Sequence, residues 1–158
     1  INLNIIGTAN LVKVCSEKRI KIVYLSTSYL YPGTKGNYKE KDPLLPWNNY
    51  GWSKLGAEAS VQMYKNSLII RACMTESPFI HKHAFTNVKC NFLFHDEFIK
   101  LFLKVIKHKG IINIGGKSQS IYDFAKTYNK NIKKKKSNGE LPSKIYMSLN
   151  KLKSFLKR

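Results

Sequence analysis

The sequence predicts an α/β fold, a doubly wound parallel sheet covered by helices, on three observations. Two short β-branched runs, IKIVYLST and SLIIRA, are apolar on both faces, the pattern of strands buried under helices on each side. Stretches of helical spacing precede and separate them. A third short run, GIINIGG, follows another helical stretch.

Taken in order, Asn4 to Lys18 carries Ile5, Ala9, Val12 and Val14, with Leu11 beside them, at the spacing of an amphipathic helix, so the chain opens inside a helix. IKIVYLST is the first strand. YPGTKGNYKEKDPLLPWNN is dense in Gly, Pro and Asn and predicts a loop, after which YGWSKLGAEASVQMYKN returns to helical spacing. SLIIRA is the second strand, and Cys73 to Cys90 reads as an irregular excursion. HDEFIKLFLKVIKHKG places Phe98, Leu101, Phe102, Val105 and Ile106 on one helical face, with Gly110 as the stop. GIINIGG is the third strand, and Ser120 to Tyr128 predicts a helix. NIKKKKSNG reads as a solvated loop, and SLNKLKSFLKR predicts a final helix.

At 158 residues the chain suits one compact domain burying roughly two-thirds of its unfolded surface. No apolar run approaches the roughly 20 residues of a membrane span, and nothing at Ile1 has the pattern of a signal peptide, so a cytoplasmic location and no membrane partner are expected. The net charge of +19 invites a nucleic-acid partner. Only three of the 28 basic residues are arginines, the group preferred for bidentate phosphate and base contacts, which argues against one. Cys15, Cys73 and Cys90 lack ligand or disulfide spacing and read as core or incidental thiols. His81, His83, His95 and His108 form no ligand cluster, so no metal site is expected, and HKH reads as an exposed loop pair. Glu76, Asp96 and Glu97 are expected to pair with neighbouring lysines.

The chemistry concentrates at Tyr50 and Lys54 in YGWSK, four residues apart and therefore on one helical face. A phenol ionises near 10 and is a poor acid or base at neutral pH, whereas an adjacent ammonium favours phenolate and draws it into working range. The cluster Ser26-Thr27-Ser28 stands at the carboxyl end of a buried parallel strand, where open α/β sheets bind their ligands. A threonine there and a tyrosine from the next helix are able to hydrogen-bond one carbonyl oxygen, stabilising the charge it gains as hydride arrives.

The stretch STSYLYPGTKGNYKEKDPLLPWNNYGWSKLGAE is similar to the strand, loop and helix of dTDP-4-dehydrorhamnose reductases and their relatives in the extended short-chain dehydrogenase/reductase superfamily, the NAD-dependent epimerase-dehydratase family among them. NIIGTANLV resembles that family's NxxGTxNL helix, and GIINIGG with the helix after it resembles the substrate-binding part. The resemblance implies a partial Rossmann-like sheet over residues 1–72 and a small C-terminal substrate-binding part over 73–158 with interleaved strand and helices. It implies Tyr50 as the catalytic acid and Thr27 as its hydroxyl partner. Lys54 would lower the Tyr50 pKa and bind the nicotinamide ribose, and Asn4 would be the helix asparagine. Ser26, Arg71 and Ala72 would stand beside the cofactor, Arg71 and Ala72 through their backbone.

NAD or NADP is the implied cofactor, without a choice between them, and a nucleotide-linked sugar the implied substrate, reduced at a 4-keto group. Epimerase or dehydratase chemistry, a regulatory role such as that of the beta subunit of methionine adenosyltransferase, and a degenerate fragment are the alternatives. A homodimer through the helices near 4–18 and 50–65 is also implied. Ser28 stands where the reductases' STDY motif has aspartate, and RACMTESPF lacks the tryptophan of their RTSW strand. The family's GxxGxxG turn is not among these residues. The 158 residues alone are therefore expected to bind NAD(P) poorly and to leave IKIVYL and SLIIR uncovered along a sheet edge.

Overall fold

The computed structural model describes residues 1–157. A π-helical turn, Asn2–Gly7, leads into helix α1 (Thr8–Glu17) and strand β1 (Ile22–Thr27). A 3₁₀ turn, Ser28–Leu30, and a long loop precede helix α2 (Asn49–Gln62) and strand β2 (Ser67–Ala72). Short strands β3 (Met74–Thr75), β4 (His83–Phe85), β5 (Lys89–Cys90) and β6 (Leu93–Phe94) follow, then helix α3 (His95–Val105) and strand β7 (Gly110–Ile114). Strand β8 (Gln119–Ser120), helix α4 (Ile121–Tyr128), strand β9 (Lys133–Lys135) and helix α5 (Asn150–Leu156) complete the chain, the predicted last helix extending to Arg158, which lies outside the described residues.

The main sheet has the order β1-β2-β7, all parallel. Alternation along each strand sends side chains to two layers. Tyr24 and Ile69 face α1 and α2, closing on Val12, Ala57 and Val61. Leu68, Ile70, Ile112 and Ile114 face the other way, onto Phe98, Val105 and Leu152 of α3 and α5. The doubly wound α/β fold is thus present over these three strands. A third core, around Phe79, Val88, Cys90, Phe94, Phe124 and Ile145, gathers the short strands and α4.

Several expectations are corrected. β2 is buried along its whole length, because β1 and β7 flank it and helices cover both faces, so SLIIR is not part of an exposed edge. β1 does lie at the sheet edge, with Leu25 40% exposed. Lys133–Lys135 is not a loop but an exposed strand in parallel register with His83–Phe85. Cys73 to Cys90 is no irregular excursion: it holds three short strands and the buried Phe79, Ala84 and Val88. In α1 only Val12 is buried, while Leu11 and Val14 face outward.

Glu97 accepts from the Phe94 N–H at 2.9 Å at the start of α3, and Glu76 accepts from the Thr75 hydroxyl at 3.3 Å. The ion pairs among the described residues are Lys35–Asp42, Arg71–Glu58 and Lys135–Glu140, none of which involves Glu76, Asp96 or Glu97. A local donor, the Phe94 N–H for Glu97 and the Thr75 hydroxyl for Glu76, stands where a lysine was expected. No helix among the described residues is long and apolar enough to cross a membrane.

Candidate active site

Thr27 ends β1, and its Oγ1 accepts from the Tyr29 N–H at 3.2 Å, turning the chain into the 3₁₀ segment. Asn48 caps α2 by accepting from the Gly51 N–H at 2.7 Å. A Cβ on Gly51 would stand 2.8 Å from the Tyr29 carbonyl oxygen and 2.8 Å from the Pro46 side chain, so glycine allows α2 to start against the strand exit. Tyr50, in the first turn of α2, therefore comes to rest beside Thr27. Its ring meets that of Tyr29 edge-on at 6.2 Å, and Tyr29 packs on Trp47 at 4.9 Å.

Half-burial pushes the Tyr50 phenol above its ordinary value, and a hydrogen bond with Thr27 offsets part of the rise. The expected lowering by Lys54 is not what the structure has. The Lys54 ammonium lies over the Tyr24 ring at 4.2 Å, and the Tyr24 hydroxyl donates to the Lys54 carbonyl at 3.3 Å. Desolvation lowers the Lys54 pKa, and the nearby Glu58 carboxylate raises it in part. Among the described residues no hydrogen bond joins Tyr50 to Lys54, although both occupy one helical face.

Asn4 Nδ2 donates to Ser53 Oγ at 2.8 Å, so Asn4 reaches α2 rather than the Thr27 hydroxyl. The Ser26 hydroxyl and the Arg71 guanidinium are both committed to Glu58 in the sheet–helix layer, which leaves the backbone of Arg71 and Ala72 at the strand end. Sequence reasoning passed over Glu58, Tyr24 and Ser53. The signal for Glu58 was its place four residues after Lys54 in SKLGAE.

A cleft of about 450 Å³ opens next to Tyr29, walled by Phe79, Phe85 and Phe92, with Thr75, His81, Lys82, His83 and Lys135 among its polar groups and no carboxylate in its lining. His81 and His83 are exposed, and among the described residues no group of three metal-ligating side chains comes together.

The sequence profile described as "RmlD substrate binding domain" matches residues 1–87. Methionine adenosyltransferase 2 subunit beta of Pongo abelii is 36% identical over 59 residues, 37% of this chain and 18% of that protein. The probable low-salt glycan biosynthesis reductase Agl14 of Haloferax volcanii is 39% identical over 69 residues, 41% of this chain and 23% of that protein. The crystal structure of dTDP-4-dehydrorhamnose reductase from Bacillus anthracis in complex with NADP superposes with a TM-score of 0.82 at 20% identity, covering 96% of this chain and 64% of that one. The chain therefore shares the reductase fold and spans less than two-thirds of that structure's length. Since the matched profile takes in more than half of the residues, Thr27, Tyr50 and Lys54 with them, the chain belongs to the RmlD substrate binding domain family.

Proposed function

We propose that the protein is an NAD(P)-dependent reductase of a nucleotide-linked sugar, acting on a 4-keto group. The observation that carries this is the placement of the Thr27 and Tyr50 hydroxyls together at the carboxyl end of β1, with Lys54 half-buried one turn along α2. Two hydroxyl donors converging on one point suit a carbonyl oxygen that gains negative charge. Tyr50 Oη gives its proton to that oxygen, while Thr27 holds the oxygen in place and keeps the Tyr50 phenol oriented. The raised pKa keeps Tyr50 protonated at neutral pH, as an acid must be.

The donor set fits the nicotinamide end of a dinucleotide. Lys54 is a half-buried ammonium held by an aromatic face rather than by a salt bridge, so its donors remain free for a ribose diol. When bound, the nicotinamide supplies the hydride. Lys54 then holds the ribose, and the backbone of Arg71 and Ala72 lies at the neighbouring strand end. The similarity to a reductase solved with NADP supports the cofactor class without choosing NAD or NADP.

The basic and aromatic cleft beside Tyr29 supports an anionic sugar nucleotide as substrate: Lys82 would meet a diphosphate, with Lys135 beside it once drawn from its ion pair with Glu140, and the aromatic walls would meet the rings. The likeness to a methionine adenosyltransferase subunit favours a second reading, a regulatory binding protein that retains this site. One assay separates the two. The full-length protein is expected to oxidise NADH or NADPH when given a dTDP-4-dehydro sugar, and Tyr50→Phe should lower kcat by about 100-fold or more while leaving dinucleotide affinity within a few-fold. Activity retained within a few-fold in Tyr50→Phe rejects the assignment, and dinucleotide binding without turnover supports the regulatory alternative.

A further inference from the structure

Ser26, Arg71 and Asn113 occupy the same register position on β1, β2 and β7, so three polar side chains cross an otherwise apolar sheet in one row. Over that row lies Glu58 of α2, fully buried. Arg71 Nη2 donates to Glu58 Oε1 at 2.6 Å and Nε donates to the same carboxylate at 3.2 and 3.3 Å, while Ser26 Oγ donates to Oε2 at 2.6 Å. The remaining guanidinium nitrogen donates to Tyr31 Oη at 2.8 Å and to the Glu40 carbonyl at 3.0 Å, which ties the loop before α2 into the same network. Gln62 completes the carboxylate from the helix side at 3.1 Å.

A buried ion pair is poor evidence for added stability, because desolvation of both charges cancels much of their attraction. What such a pair does supply is position. Glu58 is bonded to the residue next to Thr27 and stands one helical turn from Lys54, so the two halves of the candidate site meet at one carboxylate. Facing Lys54 is Tyr24 from β1, and on its own helix Tyr50 and Glu58 lie one turn to either side. Glu58 is the one carboxylate among them, and it acts on Lys54 in the direction of holding the ammonium.

We propose that Glu58, clamped by Arg71 and Ser26, is a positioning residue that fixes Lys54 and Thr27 relative to each other. The inference rests on the reductase reading for its kinetic consequence but not for its electrostatic one. Replacing the carboxylate by an amide removes the anion and leaves the Arg71 cation uncompensated, and both changes disfavour the Lys54 ammonium.

The test is Glu58→Gln in the full-length protein, with two readouts. The Lys54 titration, followed by NMR of ¹³C-methylated lysines and assigned with Lys54→Arg, should move to lower pH. In turnover, kcat should fall by about tenfold or more with KM nearly unchanged, and its alkaline limb should move to lower pH, since small displacements of a positioned group are costly. Ser26→Ala, which keeps the charge, should lower kcat without moving the Lys54 titration. Should Glu58→Gln fold poorly, Glu58→Gln/Arg71→Met removes the orphaned cation, and kcat should again fall by about tenfold or more with KM nearly unchanged, a kcat within twofold of wild type overturning the proposal. An unmoved Lys54 titration together with kcat within twofold of wild type overturns the proposal. The titration needs no dinucleotide, so an active Tyr50→Phe enzyme would reject the reductase reading while leaving the link between Glu58 and Lys54 separately decided.

Discussion

Asn4 donates to Ser53 at 2.8 Å, and Ser53 in turn donates to the Tyr50 carbonyl at 2.8 Å, so a residue in the π-helical opening of the chain is linked to the turn that carries the candidate acid. π-Helical turns concentrate at functional positions, and this one delivers Asn4 to the side of α2. The family resemblance implies a catalytic role for Asn4; the geometry links it through Ser53 to the Tyr50 backbone, and a supporting role is proposed from that link. Asn4→Ala is therefore expected to lower kcat by only a few-fold and to destabilise by about 1 kcal/mol, the net worth of one hydrogen bond. Steady-state kinetics and urea unfolding check this, and a loss as large as that of Tyr50→Phe would return Asn4 to the chemistry itself.

Arg71→Met leaves Glu58 as an unpaired buried charge and is expected to destabilise by about 3–5 kcal/mol. Glu58→Leu/Arg71→Met removes both charges and should recover much of that loss. Denaturant melts of the two variants decide it. Equal destabilisation in both would mean that packing, rather than the orphaned carboxylate, sets the cost.

Burial pushes the Tyr29 phenol from 10.0 up to about 12, with Cys73, Cys90 and Tyr50 adding in the same direction. The fold thus favours the neutral form. That contribution is fully present below pH 10.0 and is lost as pH rises through about 12. Its ceiling is about 3 kcal/mol, from about 1.4 kcal/mol per pKa unit. The stability difference between wild type and Tyr29→Phe, measured by urea unfolding at several alkaline pH values, should shift in favour of the variant across that window. A pH-independent difference would show that Tyr29 ionises freely in the folded protein.

Helices α1 and α2 present Leu11, Val14 and Trp52, with Met63 just past the end of α2, each at least half exposed. The homodimer implied by the resemblance is proposed to cover this surface. Light scattering of the full-length protein at micromolar concentration should give a dimeric mass, and Leu11→Glu should shift it toward monomer. A monomeric wild type removes the proposal.

What sequence alone determined here was local. IKIVYLST and SLIIRA announce buried parallel strands through β-branching and apolar faces, and Tyr50 and Lys54 share a helical face because four residues make about one turn. Thr27 at a strand end and Tyr50 at a helix start were legible for the same reason. Tertiary structure decided the rest. Arg71 found its counter-charge 13 positions earlier on another element, and although Glu58 follows Lys54 by one helical turn, that spacing does not show that it is buried and paired with Arg71. The Tyr50 pKa rises because desolvation depends on all neighbouring atoms, whatever their separation along the chain, while Lys54 rests on Tyr24, which the helical pattern cannot foresee. Lys133–Lys135 became a strand because His83–Phe85 offered an edge, and a pairing 50 residues apart in sequence leaves no local mark.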